Sequence, residues 1–120
     1  MTQKSISQLA RDVLSSIPYF SGLDASSLHP LVQAAVRREY EPDEVVFLEG
    51  DPCAGLYVVD EGWFKTVRIS PRGREQILRF VGPGEVFNEV GVFAATGSPA
   101  TAVALEAGTV WLVYRDMVLR

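Results

Sequence analysis

The feature that most constrains the fold is a series of short β-rich runs between residues 38 and 114. Turns that contain glycine or proline separate these runs at near-regular intervals. Many short strands with this punctuation predict a mainly β, antiparallel fold, and a jelly roll or related double-stranded β-helix fits best. The predicted strands are residues 45–48, 56–59, 64–69, 76–81, 102–105 and 109–114.

Helical segments flank the strands. Apolar residues repeat at helical spacing over residues 5–16, which predicts an amphipathic helix. A second helix is predicted to begin with Asp24 or Ser26 as its N-cap. Pro30 fits that helix only if it lies in the first turn, where no amide proton is needed. The chain from Arg115 onward has the character of the start of a C-terminal helix.

A basic β-hairpin is predicted in the middle of the chain. Ser-Pro-Arg-Gly at residues 70–73 joins two strands, and this is a strong turn signal. Such a hairpin is commonly a solvated edge, and the alternative is that part of it faces an anion. Strand alternation places Arg79 on the face opposite Leu78, and both faces carry apolar residues, so both interpretations stay open. The basic residues are Lys65, Arg68, Arg72, Arg74 and Arg79.

Composition excludes several classes of function. The 120 residues suffice for one domain, and 11 basic against 15 acidic residues give a net charge of −4. An acidic chain is poorly suited to binding the phosphate backbone of a nucleic acid. One cysteine, Cys53, and one histidine, His29, cannot build a disulfide or a metal site based on several such ligands. Without a catalytic motif, a membrane-length apolar run or a signal peptide, we expect a cytoplasmic, non-enzymatic protein that binds no membrane.

Four motifs together become specific for a family. They are residues 47–52 (FLEGDP), 56–62 (LYVVDEG), 73–80 (GREQILRF) and 82–87 (GPGEVF). With them, the run from Tyr40 to Tyr114 resembles the cyclic-nucleotide-binding-type sensor domain of the Crp/Fnr superfamily of bacterial transcription regulators. The resemblance implies a single effector-binding domain over residues 1–120. It also implies that the glycines at positions 50, 62 and 84 serve roll corners that favour glycine.

In that family the segment matching residues 84–102 is the phosphate-binding cassette. A short helix presents backbone amides to a cyclic phosphate, a glutamate binds the ribose, and an arginine binds the phosphate. By the resemblance, Glu89 keeps the ribose-binding position. The other family positions that this sequence keeps are Val90, Gly91, Thr101 and Ala102.

Two departures make this cassette degenerate. Asn88 replaces the family's glycine, and Ala100 stands where the arginine belongs. Loss of a charge-assisted hydrogen bond costs about 1.5–3 kcal/mol, so tight cyclic AMP binding is not expected. Arg79, opposite the cassette in the family's layout, is the expected substitute cation for a cyclic nucleotide or another small anionic effector. The predicted ligand-binding residues are Leu78, Arg79, Val86, Phe87, Asn88, Glu89, Val90, Gly91, Ala100, Thr101 and Ala102.

The resemblance also implies partners. The family joins this domain through a dimerisation helix to a helix-turn-helix domain, so we expect a homodimer that contacts DNA only through a domain after residue 120. The alternative is a stand-alone regulatory module of a kinase, channel or transporter, which shares the fold. Haem sensing also occurs in the family, but His29 and Cys53 are the only nitrogen and thiolate candidates for a haem ligand in this sequence, and neither lies at a position that supports that role. An enzyme built on the β-roll is the third hypothesis.

Overall fold

The chain folds mainly into antiparallel β-structure, as the sequence predicts. A computed structural model describes residues 6–15, 17, 20, 22–88, 92 and 97–118. The helices in these ranges are α1 (Ile6–Ser15), α2 (Ala25–Ala34) and α3 (Arg115–Val118). The strands are β1 (Val36–Tyr40), β2 (Val45–Phe47), β3 (Gly55–Glu61), β4 (Phe64–Ile69), β5 (Glu75–Val81), β6 (Val86–Phe87), β7 (Thr101–Ala104) and β8 (Gly108–Tyr114).

The strands form two four-stranded sheets. Sheet A has the strand order β1-β8-β3-β6, and sheet B has the order β2-β7-β4-β5. Apart from β4 and β5, neighbouring strands are distant in sequence, which is the connectivity of a double-sheet roll and confirms the predicted fold class. The predicted hairpin is also confirmed: β4 and β5 are joined by a turn in which the Gly73 amide donates to the Ser70 carbonyl at 2.8 Å.

Two hydrophobic layers hold the roll together. One lies between the sheets and includes Tyr57, Phe87 and Leu112. The other packs α1 and α2 against the opposite face of sheet A and includes Leu14 and Trp111. Removing such side chains from water contributes roughly 1.5–3 kcal/mol each. Sheet A is therefore covered on both faces, and the cavity described below lies on the inner side of sheet B.

Helix α2 has the predicted N-cap, Asp24, but Pro30 lies in its interior and not in its first turn. The Asp24 carboxylate accepts a hydrogen bond from the Ser27 amide at 2.8 Å. The prediction that Pro30 occupies the first turn is wrong, because it lies in the middle of the helix. The helix tolerates this since the proline deprives only the Ser26 carbonyl of its intrahelical donor, and Ser26 is exposed to water. Within the described residues, no helix has the length and apolar character needed to cross a membrane.

The strand predictions are correct for the continuous apolar runs and miss β1 and β6, the two edge strands of sheet A. The predicted strands agree with β2, β3, β4, β5, β7 and β8 to within about two residues at each end, the usual boundary uncertainty. Strand β1 was not predicted, because its residues Arg37, Arg38 and Glu39 are exposed and charged at a sheet edge. Strand β6 has only two residues. The predicted corner glycines are confirmed by positive φ angles of 87°, 83° and 82° at positions 50, 62 and 84.

Candidate ligand-binding site

A cavity of about 360 Å³ opens on the inner side of sheet B. Strands β4 and β5 form one wall, and the segment around residues 97–100 and the end of β6 form the other. A volume of this size is typical of small-molecule sites. The lining residues are Phe47, Thr66, Leu78, Arg79, Phe87, Asn88, Pro99 and Ala100.

A β-bulge brings two neighbouring residues of β5 to the cavity. Thr66 pairs with Arg79 and the next residue of β4 pairs with Ile77, so Leu78 is the extra residue on β5. A bulge re-aims side chains and breaks the simple alternation of a strand. Leu78 and Arg79 consequently both line the cavity, whereas alternation alone places them on opposite faces.

The apolar wall is aromatic and held by packing. The rings of Phe47 and Phe87 lie 5.8 Å apart between centroids, tilted by 45°. Phe87 also stacks on Tyr57 at 5.3 Å with an interplanar angle of 5°. Because Phe87 and Tyr57 are almost fully buried, these rings give the cavity a preformed wall.

The cation of the site sits at its rim. A nitrogen of the Arg79 guanidinium lies 3.8 Å from a carboxylate oxygen of Glu85, and both side chains are nearly half exposed. The other Glu85 oxygen accepts a hydrogen bond from the Gly82 amide at 2.9 Å. Arg68 is also near, but its Nε donates to the Pro99 carbonyl at 3.1 Å and so ties the hairpin to the opposite wall.

Asn88 occupies a backbone conformation that favours glycine. Its φ is 76°, a left-handed value that asparagine tolerates better than most residues. Its side-chain amide donates to the Cys53 sulfur at 3.1 Å and to the Gly55 carbonyl at 3.4 Å. Its Oδ1 is buried and has no hydrogen-bond partner. The two amide protons of Asn88 are thus directed toward the segment at residues 53–55.

Cys53 contacts the lining residue Asn88 and is not itself a reactive group. The thiol lies 3.8 Å from the Gly55 carbonyl, which can accept from it. Burial raises the pKa of the Cys53 thiol above its ordinary value, although the Gly55 hydrogen bond and the nearby Arg115 charge act in the other direction. Cys53 therefore stays protonated at neutral pH and is a poor nucleophile.

Position 100 carries no charge. Ala100 is buried and lines the cavity. The sequence from residue 84 to residue 102 contains no lysine and no arginine at all. Any anion in this cavity must therefore obtain a positively charged partner from another segment, and among the described lining residues that cation is Arg79.

The predicted ligand-binding residues divide into three groups. Val86 faces the layer under the helices, Ala102 lies in the layer between the sheets, and the Thr101 hydroxyl accepts from the Glu49 amide at 2.9 Å. Glu89, Val90 and Gly91 lie outside the described residues. Those that the structure brings together around the cavity are Leu78, Arg79, Phe87, Asn88 and Ala100.

Three lining residues were not predicted from the sequence. Thr66 is opposite Arg79 in the hairpin register, a position that the predicted hairpin pairing could have located. Phe47 is opposite Ala102 across β2 and β7, and Pro99 precedes Ala100. Strand β2 and strand β7 are more than fifty residues apart in the chain, so local sequence gave no signal for Phe47.

Hydrogen bonds connect the segment around residues 88–92 to the C-terminal helix α3. The Arg115 guanidinium donates through Nε to the Val92 carbonyl at 3.1 Å. The Arg115 amide donates to the Ala54 carbonyl at 3.0 Å. Asn88 contacts the same 53–55 segment, so the described residues of the cassette are tied to the first residue of α3 from two sides.

Known proteins are similar to this chain in sequence and in fold. The chain is 30% identical over 82 residues to the CRP-like cAMP-activated global transcriptional regulator of Mycobacterium tuberculosis, covering 68% of this chain and 37% of that protein. It is 30% identical over 99 residues to the cyclic AMP receptor protein of Thermus thermophilus, covering 82% of this chain and 46% of that protein. The chain therefore spans less than half of the length of these relatives.

Solved structures extend the likeness. The N-terminal domain of a transcriptional regulator from Streptomyces coelicolor superimposes with a TM-score of 0.78 and 35% identity, over 88% of this chain and 74% of that one. A regulatory subunit of a cAMP-independent protein kinase A from Trypanosoma brucei, a triple mutant bound to cAMP, has a TM-score of 0.79 and 25% identity, over 91% of this chain and 42% of that one. Residues 37–120 match the family model described as the cyclic nucleotide-binding domain. The chain belongs to the cyclic nucleotide-binding domain family.

Proposed function

We propose that this chain is the effector-binding domain of a Crp/Fnr-type transcription regulator and that it does not bind cyclic AMP with high affinity. The regulators from Mycobacterium tuberculosis, Thermus thermophilus and Streptomyces coelicolor support the first part. DNA binding and dimerisation then belong to parts of the regulator outside this chain. The role of the chain itself is regulatory and not catalytic.

The observation that carries the second part is that the cassette has no basic residue. Ala100 lines the cavity, and by the resemblance it holds the sequence position of the family's phosphate-binding arginine. A cyclic phosphate placed there would lose its hydration and gain no charge-assisted bond, which costs about 1.5–3 kcal/mol, or one to two decades of affinity. The Trypanosoma brucei subunit offers a parallel: it belongs to a cAMP-independent kinase, and one of the three substitutions in its cAMP-bound mutant introduces an arginine.

Asn88 adds a second obstacle. Its side chain takes up space that a glycine leaves open, and both amide protons are engaged by Cys53 and Gly55. The remaining Oδ1 is an acceptor and repels a phosphate oxygen. A cyclic nucleotide would therefore have to displace the Asn88 side chain as well as dispense with the arginine.

The contacts of Arg115 support a sensing role for the domain. An effector that reorganises the cassette would change the position of the Val92 carbonyl, to which the Arg115 Nε donates. Because Arg115 is the first residue of α3, such a change reaches the helix that leaves the domain.

Restoring the missing groups tests the proposal. Isothermal titration calorimetry with cyclic AMP and cyclic GMP should give weak or no binding to the wild type. The double variant Asn88→Gly, Ala100→Arg should bind at least about tenfold more tightly, since it regains the charge-assisted bond. Ala107→Arg adds the same charge at an exposed turn and is the matched control. Wild-type binding of either nucleotide with a Kd below about 1 µM would overturn the proposal.

A regulatory module of a kinase remains the second candidate. The Trypanosoma brucei kinase subunit has the same fold over most of this chain, so the architecture alone favours neither assignment. The two differ in what the rest of the protein encodes. A helix-turn-helix segment in the same reading frame supports the regulator, and a kinase, channel or transporter domain supports the alternative.

A further inference from the structure

The following inference rests on the proposed function and concerns the chemical class of the effector. We propose that the cavity binds a small apolar monocarboxylate. Its hydrocarbon body packs against Phe47, Phe87 and Leu78, and its carboxylate lies at the rim beside Arg79 and Thr66.

The interior of the cavity favours a hydrocarbon body. Most of the described residues that line the cavity are apolar: Phe47, Phe87, Leu78, Pro99 and Ala100. Phe47 and Phe87 are buried and Phe87 is stacked on Tyr57, so the two rings form a fixed apolar wall against which a hydrocarbon group can pack. A cavity of about 360 Å³ has room for a ligand of roughly a dozen or more heavy atoms, since drug-sized sites begin near this volume.

The rim favours one negative charge. Thr66 and Arg79 are cross-strand partners and both line the cavity. Arg79 is nearly half exposed at the rim, and Thr66 is buried on its inner side, where its hydroxyl adds a polar group next to the cation. Arginine presents five N–H donors in a planar fork that matches a carboxylate, and its ion pair with Glu85 is long at 3.8 Å, so a ligand carboxylate at the rim competes with Glu85 for the guanidinium. Glu85 retains its hydrogen bond from the Gly82 amide when a ligand arrives.

The deep end disfavours further charge. Near Ala100 the sequence supplies no lysine or arginine between residues 84 and 102. The buried Oδ1 of Asn88 is an acceptor without a partner, and its amide protons are directed to Cys53 and Gly55. A group that is charged or polar on all sides would be desolvated here without donors. A ligand with a single charged end avoids this penalty because the charge stays at the rim.

Matched ligands test the proposal directly. Isothermal titration calorimetry would compare cinnamate, cinnamyl alcohol and decanoate on the wild-type domain. We expect cinnamate to bind at least about fivefold more tightly than the alcohol, which has the same ring without the charge. Comparison of cinnamate with decanoate separates an aromatic acid from an acyl chain as the preferred source of the carboxylate. Added salt should weaken the binding of the acids more than that of the alcohol.

Three variants locate the binding. Arg79→Ala should lower the affinity for the acid about fivefold and leave the affinity for the alcohol unchanged. Arg72→Ala removes an exposed arginine from the turn of the same hairpin and should change neither. Ala100→Leu fills part of the cavity and should weaken both. Thermal unfolding shows whether each variant is folded. If Ala100→Leu does not fold, the comparison of Arg79→Ala with Arg72→Ala still tests the inference.

Several results would overturn the inference. These are the absence of binding by both acids, equal binding of the acid and the alcohol, and an equal loss in the Arg79 and Arg72 variants. If neither acid binds but the Asn88→Gly, Ala100→Arg variant gains cyclic AMP binding, the proposed function stands and only the ligand class is wrong. Tight wild-type binding of cyclic AMP would instead remove the proposed function.

Discussion

Sheet A and the β4–β5 hairpin of sheet B are built in opposite ways. In sheet A, β3 is buried over its first five residues and β8 over its first six. In the hairpin, β5 exposes every residue except Val81. Stability in proteins concentrates where apolar contacts are dense, and binding elements are drawn from the less stable parts. We infer that sheet A is the stable scaffold and that the hairpin, which supplies Leu78 and Arg79 to the cavity, is the less stable region.

The two regions also differ in their sequence patterns. Residues 56–59 and 110–113 are unbroken apolar runs, as expected for strands covered on both faces. In β5, charged and apolar residues are mixed, and the bulge at Leu78 interrupts the alternation. A bulge and charged side chains also protect an edge strand from pairing with other chains.

The largest expected effect comes from a cavity in the scaffold. Trp111→Ala removes a fully buried side chain of β8 and its hydrogen bond to Asp60 at 3.1 Å. We expect a loss of about 3–5 kcal/mol in the free energy of unfolding. Phe80→Ala, on the hairpin and 54% exposed, should cost under about 1 kcal/mol. Urea unfolding measures both, and equal losses would show that the scaffold and the hairpin do not differ.

A smaller, pH-dependent effect is expected at Tyr57, on the inner side of sheet A. Burial raises the pKa of Tyr57 to about 12. Because the folded-state value exceeds the ordinary value near 10, the neutral phenol stabilises the fold fully below about pH 10, and this stabilisation is lost as the pH rises through about 12.

Tyr57→Phe tests this effect. The variant cannot ionise, so it should gain on the order of 2 kcal/mol relative to the wild type as the pH rises from about 9 toward 12. Urea unfolding across that range measures the difference between the two proteins. The difference in unfolding free energy between the two proteins at neutral pH is the baseline. A difference that stays the same at every pH would contradict the assignment to ionisation of Tyr57.

The smallest effect is expected at the helical cover of sheet A. The Asp24 carboxylate accepts from the Ser27 amide at 2.8 Å and from the Ser26 hydroxyl at 2.9 Å. These hydrogen bonds, the Ser27 amide first, lower the pKa of Asp24. Its stabilising contribution is therefore present above the ordinary value of 3.8 and is lost as the pH falls through the lower folded-state value.

Two substitutions separate the charge of Asp24 from its capping. Asp24→Asn keeps a capping oxygen and should retain most of the stability at neutral pH, with less loss in acid than the wild type. Asp24→Ala removes the cap and should lower the melting temperature at neutral pH. Thermal melts at neutral and acidic pH make the measurement. Identical acid profiles for the wild type and Asp24→Asn would show that the carboxylate does not titrate with folding.

Much of the architecture was predictable from local sequence, and the site was only partly so. The runs that form β3 and β8 are apolar throughout, and the hairpin turn at residues 70–73 contains the residues that its geometry requires. Strand β1 escaped prediction because its exposed residues are charged. Pro30 was misplaced because local rules do not account for water at an exposed helix surface.

By itself, the sequence determined the double-sheet fold, the turn positions and the absence of an arginine from residues 84–102. These properties depend on residue type and on spacing along the chain. Only the tertiary structure decided that Leu78 and Arg79 share one cavity, because a bulge exists only relative to a partner strand. It also decided that the Asn88 amide turns toward Cys53, 35 residues earlier in the chain. The chemistry of the cavity depends on contacts between distant segments, and no local pattern encodes them.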